Sequence, residues 1–179
     1  MLYFDLDGVI AKYDKSMYIG DEPKFIKEPF HSFIELEADE YMHELFEMCC
    51  DFFTDETYIM SAVYSGDMEV ALAQMTAKLQ WLRNKFPKFD LTHVIFTSSQ
   101  GKPLHLSKIK DMALTSRDIL IDDFNRNLYA WSIAGGTAIK YINGINHASS
   151  WDGVCIGKED NLTMVATILH NYLVGGVSK

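Results

Sequence analysis

Short apolar runs that end in acidic or hydroxyl residues recur along this chain, with longer segments of helical spacing between them. The first, Leu2-Tyr3-Phe4, leads into Asp5-Leu6-Asp7-Gly8. Thr57-Tyr58-Ile59-Met60 ends at Ser61, Val94-Ile95-Phe96 leads through a polar loop at 97–101 to Lys102, and Ile119-Leu120-Ile121 ends at Asp122-Asp123. Strands are predicted at these runs, the later ones over 93–96, 118–121 and 137–142. Helices are predicted over 39–53, where Met42, Leu45, Phe46, Cys49 and Phe53 share a face, and over 67–86. In the second the expected core face is Met68, Ala71, Leu72, Met75, Leu79, Leu82 and Phe86, with Asp67 as its cap and Pro87 as its stop. A closing helix near 162–173 would bury Leu162, Val165, Ile168, Leu169 and Tyr172. Strands alternating with helices imply an α/β, Rossmann-like parallel sheet covered by helices on both faces. Such a sheet gathers its strand ends at one edge, where ligands bind.

The groups at those ends have compatible chemistry. Asp5 and Asp7 lie two positions apart, so in extended chain they point the same way, and Gly8 permits a sharp turn. A carboxylate is a competent nucleophile toward a phosphoryl group once the phosphate charge is neutralised. A magnesium ion held by carboxylates would neutralise it, and Asp122 supplies a further acidic ligand from another strand. The Ser61 hydroxyl and the Lys102 ammonium both suit phosphate oxygens. Taken alone, Asp-x-Asp-Gly also opens many calcium loops, but such a loop needs a ligand at its fifth position and an acid at its twelfth. Val9 and Ser16 stand there.

In order, Asp5-x-Asp7-Gly8, Ser61, Lys102 and Asp122-Asp123 resemble the four motifs of the haloacid dehalogenase-like phosphohydrolase superfamily, over residues 2 to about 150. The run Asp122-Asp123-Phe124-Asn125-Arg126-Asn127-Leu128 with Trp131 resembles the 5'(3')-deoxyribonucleotidase branch. So do Gly135-Gly136-Thr137-Ala138-Ile139-Lys140 and Asn143-Gly144-Ile145-Asn146. The resemblance implies Asp5 as nucleophile and magnesium ligand, Asp7 as general acid and base with its carbonyl on the metal, and Asp122 as the third ligand. Asp123 would support the ligands from behind. Ser61 would hydrogen-bond the phosphoryl group and Lys102 would offset its charge. Lys108 is the rival for that role; Lys102 is preferred because a loop position after a strand suits an active-site rim.

Residues 11 to about 38 break the alternation, with Tyr13, Tyr18, Phe25, Phe30 and Phe33 set among Pro23, Pro29 and charges. Members of the superfamily insert a cap here, so a small cap within a single domain of 1–179 is expected at about 11–55, extending through the 39–53 helix. Its aromatic residues would either stack on a base or pack the cap onto the core. His147 reads as a surface residue, and Gly135-Gly136 as a turn before a strand.

The 179 residues are 48% hydrophobic with a net charge of −9. That is enough chain for one substantial core, and the acidity with no basic run argues against a nucleic-acid polymer as partner. It does not exclude single nucleotides, and the resemblance implies a small phosphorylated metabolite, above all a nucleoside monophosphate. Cys49, Cys50 and Cys155 form neither a disulfide framework nor a metal spacing. With no export signal and no apolar run of about eighteen residues, the cytoplasm is the expected compartment and no membrane is involved. The expected activity is a magnesium-dependent phosphomonoesterase. Two other readings stay open: a phosphate-binding regulator, against which the presence of both Asp5 and Asp7 speaks, and a sugar-phosphate phosphatase or phosphotransferase.

Overall fold

The computed structural model describes residues 1–13, 18–19, 22–23, 31–64, 66–98, 101–145 and 150–175. In chain order the elements are β1 (Leu2–Phe4), β2 (Tyr18–Ile19), β3 (Glu22–Pro23), α1 (His31–Ile34), α2 (Glu40–Phe52), β4 (Thr57–Val63) and α3 (Met68–Lys85). They continue with β5 (Val94–Ser98), α4 (Lys102–Lys110), β6 (Ile119–Asp122), α5 (Asn125–Ile133), β7 (Thr137–Tyr141), β8 (Val154–Ile156) and α6 (Leu162–Gly175). Six strands form one sheet in the order β5-β4-β1-β6-β7-β8, and every pairing in it is parallel. The chain leaves β1 for β4 on one side and later returns to β6 on the other. The crevice at the carboxyl end of β1 is therefore the sheet's switch point.

Alternation along the strands divides the core in two. Leu2, Phe4, Ile59, Ile121 and Ile139 face a layer containing Met42, Leu45 and Phe46 of α2, Trp81 of α3 and Leu169 of α6. Tyr3, Met60, Leu120 and Ala138 face Leu106 of α4 and Leu128 and Trp131 of α5. Helices thus cover both faces, as the alternating sequence implied.

The helix α2 packs in the sheet's core, with Phe46 edge-on to Phe4 at 5.1 Å between ring centroids. Phe25, Pro29 and Phe30 of the expected insertion lie outside the described residues, as does His147. Two expectations need correction. First, α3 is turned from the expected face: Ala71, Leu82 and Phe86 are buried as expected, but Gln74, Ala77, Lys78 and Trp81 are buried with them, while Met68 and Leu72 are 74% and 55% exposed. Lys78 and Gln74 stay on the inner face because each has a polar partner there: Gln74 Oε1 accepts from the Tyr64 backbone N–H at 2.7 Å. Second, β8 joins the sheet edge beyond β7 from a segment with no strand signal, and Ile168 of α6 is 38% exposed. Among the described residues no helix is long and apolar enough to cross a membrane.

Candidate active site

The carboxyl ends of β1, β4 and β6 and the start of α4 converge. Asp5 follows β1, and its backbone N–H donates to Ile121 O at 2.9 Å, tying the loop to β6. Gly8, with φ of +75°, turns that loop. A Cβ at this position would lie 2.6 Å from Asp123 Oδ2, so the residue must lack one. Asn143, just past β7, donates its Nδ2 to Gly8 O at 2.8 Å and to Asp123 Oδ2 at 2.6 Å, clipping the two acidic loops together.

Lys102 is buried at the first turn of α4, rather than in the loop before it. Its Nζ sits 2.8 Å from Asp5 Oδ1 and 2.6 Å from Asp122 Oδ2. Burial works against this ammonium, but the two carboxylates outweigh it and hold the lysine pKa above its usual value. The rival Lys108 is exposed on α4. Asp122 also accepts from Phe124 N at 2.8 Å and from Asn127 Nδ2 at 2.9 Å. These bonds fix its orientation.

Ser61 lies inside β4, two residues before its end, and is fully buried. Its Oγ donates to Asp7 Oδ2 at 2.8 Å. Asp7 also accepts from Tyr13 Oη on Oδ1 at 2.6 Å and from Lys78 Nζ on Oδ2 at 2.6 Å. Burial pushes the Asp7 carboxyl up, yet Lys78 and the hydrogen bonds outweigh it and hold its pKa below the ordinary value. Asp5 goes the other way: burial, then the Asp122, Asp7 and Asp123 charges, raise it well above ordinary despite Lys102. The sequence reading missed Lys78, Tyr13, Asn127 and Asn143. For Lys78 a signal existed, since a lysine at helical spacing from Ala71, Gln74 and Trp81 lies on a stripe where an unpaired charge is seldom buried.

The residues present suit a hard divalent cation. Oxygens of Asp5, Asp122 and Asp123 lie within 4.8 Å of one another, all three residues buried. Asp5 Oδ1 is buried without a hydrogen bond, its contact with Lys102 being an ion pair off hydrogen-bond geometry. Magnesium binds through one or two carboxylates plus waters and phosphate oxygens, which this set allows. Two clefts, of about 840 and 520 Å³, open at the opposite edge of the sheet beside Thr54, Asp55 and His93 and contain none of these residues.

No family model matches the sequence, and no curated protein gives a significant match. Solved structures do match. A D,D-heptose 1.7-bisphosphate phosphatase from B. bronchiseptica, complexed with magnesium and phosphate, aligns over 95% of this chain and 98% of its own, with 15% identity and a TM-score of 0.61. A HAD hydrolase, family IA, variant 3, from Entamoeba histolytica covers 95% and 99% at 13% identity and a TM-score of 0.58. A hydrolase from Pseudomonas syringae covers 93% and 96% at 16% identity and a TM-score of 0.56. With its parallel sheet and strand order, the chain has the haloacid dehalogenase-like fold.

Proposed function

We propose that the protein is a magnesium-dependent phosphomonoesterase working through a phosphoaspartate. The observation that carries this is the Lys102 ammonium held between Asp5 and Asp122, with Asp123 within reach of the same point. Such a group of acids around one cation is arranged to receive a phosphate and a metal together. The fold's likeness to a phosphatase complexed with magnesium and phosphate supports the same reading.

The Asp5 carboxylate forms a bond to phosphorus as the bond to the leaving oxygen breaks, and Asp7 passes a proton to that oxygen. Water then attacks the phosphoaspartate, gives its proton to Asp7 and releases inorganic phosphate, restoring Asp5. Because Lys78 keeps Asp7 ionised at rest, the first proton arrives with the substrate, whose monoester phosphate has a second pKa of about 6. Asp5, Asp122 and the Asp7 carbonyl would hold magnesium, with Asp123 close behind. When bound, the ion neutralises phosphate charge and orients the phosphoryl oxygens. Lys102 shares that task. Ser61 reaches a phosphoryl oxygen by turning its hydroxyl from Asp7.

For substrate we propose a ribo- or deoxyribonucleoside 5'-monophosphate in the cytoplasm, on the likeness of residues 122–146 to the nucleotidase branch. Phosphate release from nucleoside monophosphates and sugar phosphates, with and without magnesium, tests both levels. Turnover of a nucleoside monophosphate that EDTA and Asp5→Asn each abolish is the expected result. Asp5→Asn retaining a tenth of the activity would remove the nucleophile assignment.

A further inference from the structure

Lys78 projects from the middle of α3 into the sheet edge and is 2% exposed. Its Nζ donates to Asp7 Oδ2 at 2.6 Å, Ser61 Oγ at 2.8 Å and Ala62 O at 2.6 Å, and lies 5.4 Å from the centre of the Phe33 ring. An ammonium has three donors, and all three are used. Lys78 therefore has no N–H left for a ligand. Whatever it does, it does through Asp7 and Ser61.

Burying such a pair is seldom a gain in stability over apolar side chains of the same volume, so its placement calls for another use. The Asp7 carboxylate is gripped on both oxygens, by Tyr13 on one and by Ser61 and Lys78 on the other, which fixes its rotation. When Ser61 turns toward a phosphoryl oxygen, Lys78 is the partner that still holds Oδ2. We infer that Lys78 is a positioning residue that keeps the Asp7 carboxylate aimed at the leaving oxygen while Ser61 changes partners. This rests on the phosphatase reading above.

The test compares Lys78→Met, which keeps the stem and removes the ammonium, with Lys78→Arg and with Lys85→Met on the same helix. Phenyl phosphate needs its leaving oxygen protonated; 2,4-dinitrophenyl phosphate does not. Lys78→Met is expected to slow phenyl phosphate turnover by about 100-fold or more, in the range of a lost general acid. The single-turnover burst of dinitrophenolate should fall by less than about 10-fold, since that step bypasses the acid. Inhibition by inorganic phosphate should stay unchanged, and Lys85→Met should behave as wild type. Equal losses with both leaving groups, or weakened phosphate inhibition, would overturn the inference. If Lys78→Met does not fold, Lys78→Arg carries the same comparison, because a planar fork cannot reproduce three bonds at one point. A crystal structure of either variant decides the matter without activity: Asp7 should leave its place beside Tyr13 and Ser61, and an unmoved Asp7 refutes positioning by Lys78. A wild-type protein inert toward all phosphomonoesters would strike the phosphatase reading alone, leaving that structural result to decide Lys78.

Discussion

At the scale of single residues the site depends on close approach as much as on charge. Gly8 adopts φ of +75°, and a methyl group there would meet Asp123 Oδ2 at 2.6 Å and Asn143 Nδ2 at 3.2 Å. Gly144 also has positive φ, +81°, but its added Cβ would meet nothing within 4 Å. The pair separates backbone strain from collision. Gly144→Ala should lose about 1–2 kcal/mol of stability in urea unfolding, the cost of a left-handed backbone, and Gly8→Ala more, because its collision adds to that cost. Only Gly8→Ala should also lose kcat/KM, by about 100-fold, since a shift near 1 Å in Asp5 or Asp123 misplaces the reacting groups. Equal kinetic losses in the two would show that strain, not collision, is what Gly8 avoids. The acids, Ser61 and Lys102 were legible in sequence because each ends or follows a strand-like run. Tyr13, Asn127 and Asn143 were not, because a single neutral polar side chain, in a loop or on a helix, carries no periodic signal until the partner is in place.

At the scale of elements the reading succeeded where pattern and burial coincide and failed where a polar site overrode it. In α2, Met42, Leu45, Phe46 and Cys49 are buried as their spacing implied. In α3 the expected face holds at Ala71, Leu82 and Phe86, but its Met68 and Leu72 face solvent. The stripe containing Lys78 wins because Asp7 and Ser61 satisfy its charge while Trp81 and Leu82 supply the apolar burial below. This face assignment is testable by unfolding. Leu72→Ala should change stability by no more than about 0.5 kcal/mol, as an exposed position. Trp81→Ala, fully buried against Phe33 and donating its indole N–H to Leu36 O at 2.8 Å, should cost about 3–5 kcal/mol. The stripe expected from sequence predicts a cost of about 2–5 kcal/mol at Leu72 instead. β8 escaped notice for a different reason: Val154-Cys155-Ile156 is three residues long, and its place is set by the β7 edge rather than by its own propensity.

At the scale of the molecule, parallel pairing of β4, β1 and β6 brings acids more than a hundred residues apart together, so a metal ion held by them would link its binding to folding. Without metal, Asp5 has a pKa raised above its unfolded value, so it supports the fold at low pH and that support is lost as pH rises through the unfolded value toward the raised one. Asp7, whose pKa is lowered, works oppositely: its contribution is present above the unfolded value and disappears as pH falls through the lowered one. Lys102, raised above the ordinary 10.5, contributes fully through the neutral range. A divalent cation binds the ionised form of Asp5 and must displace its proton where one is held. Magnesium should therefore raise Tm more at pH 8 than at pH 5. At about 100 times its Kd it adds about 2.7 kcal/mol. For a chain of this size that corresponds to about 5–10 °C. Asp122→Asn should remove most of the shift at both pH values, because one ligand charge is gone while Lys102 stays in place against Asp5. Thermal scans with magnesium, and with sodium at matched ionic strength, separate specific binding from screening. A shift that is equal at the two pH values, or that sodium reproduces, would show that Asp5 does not hold the ion.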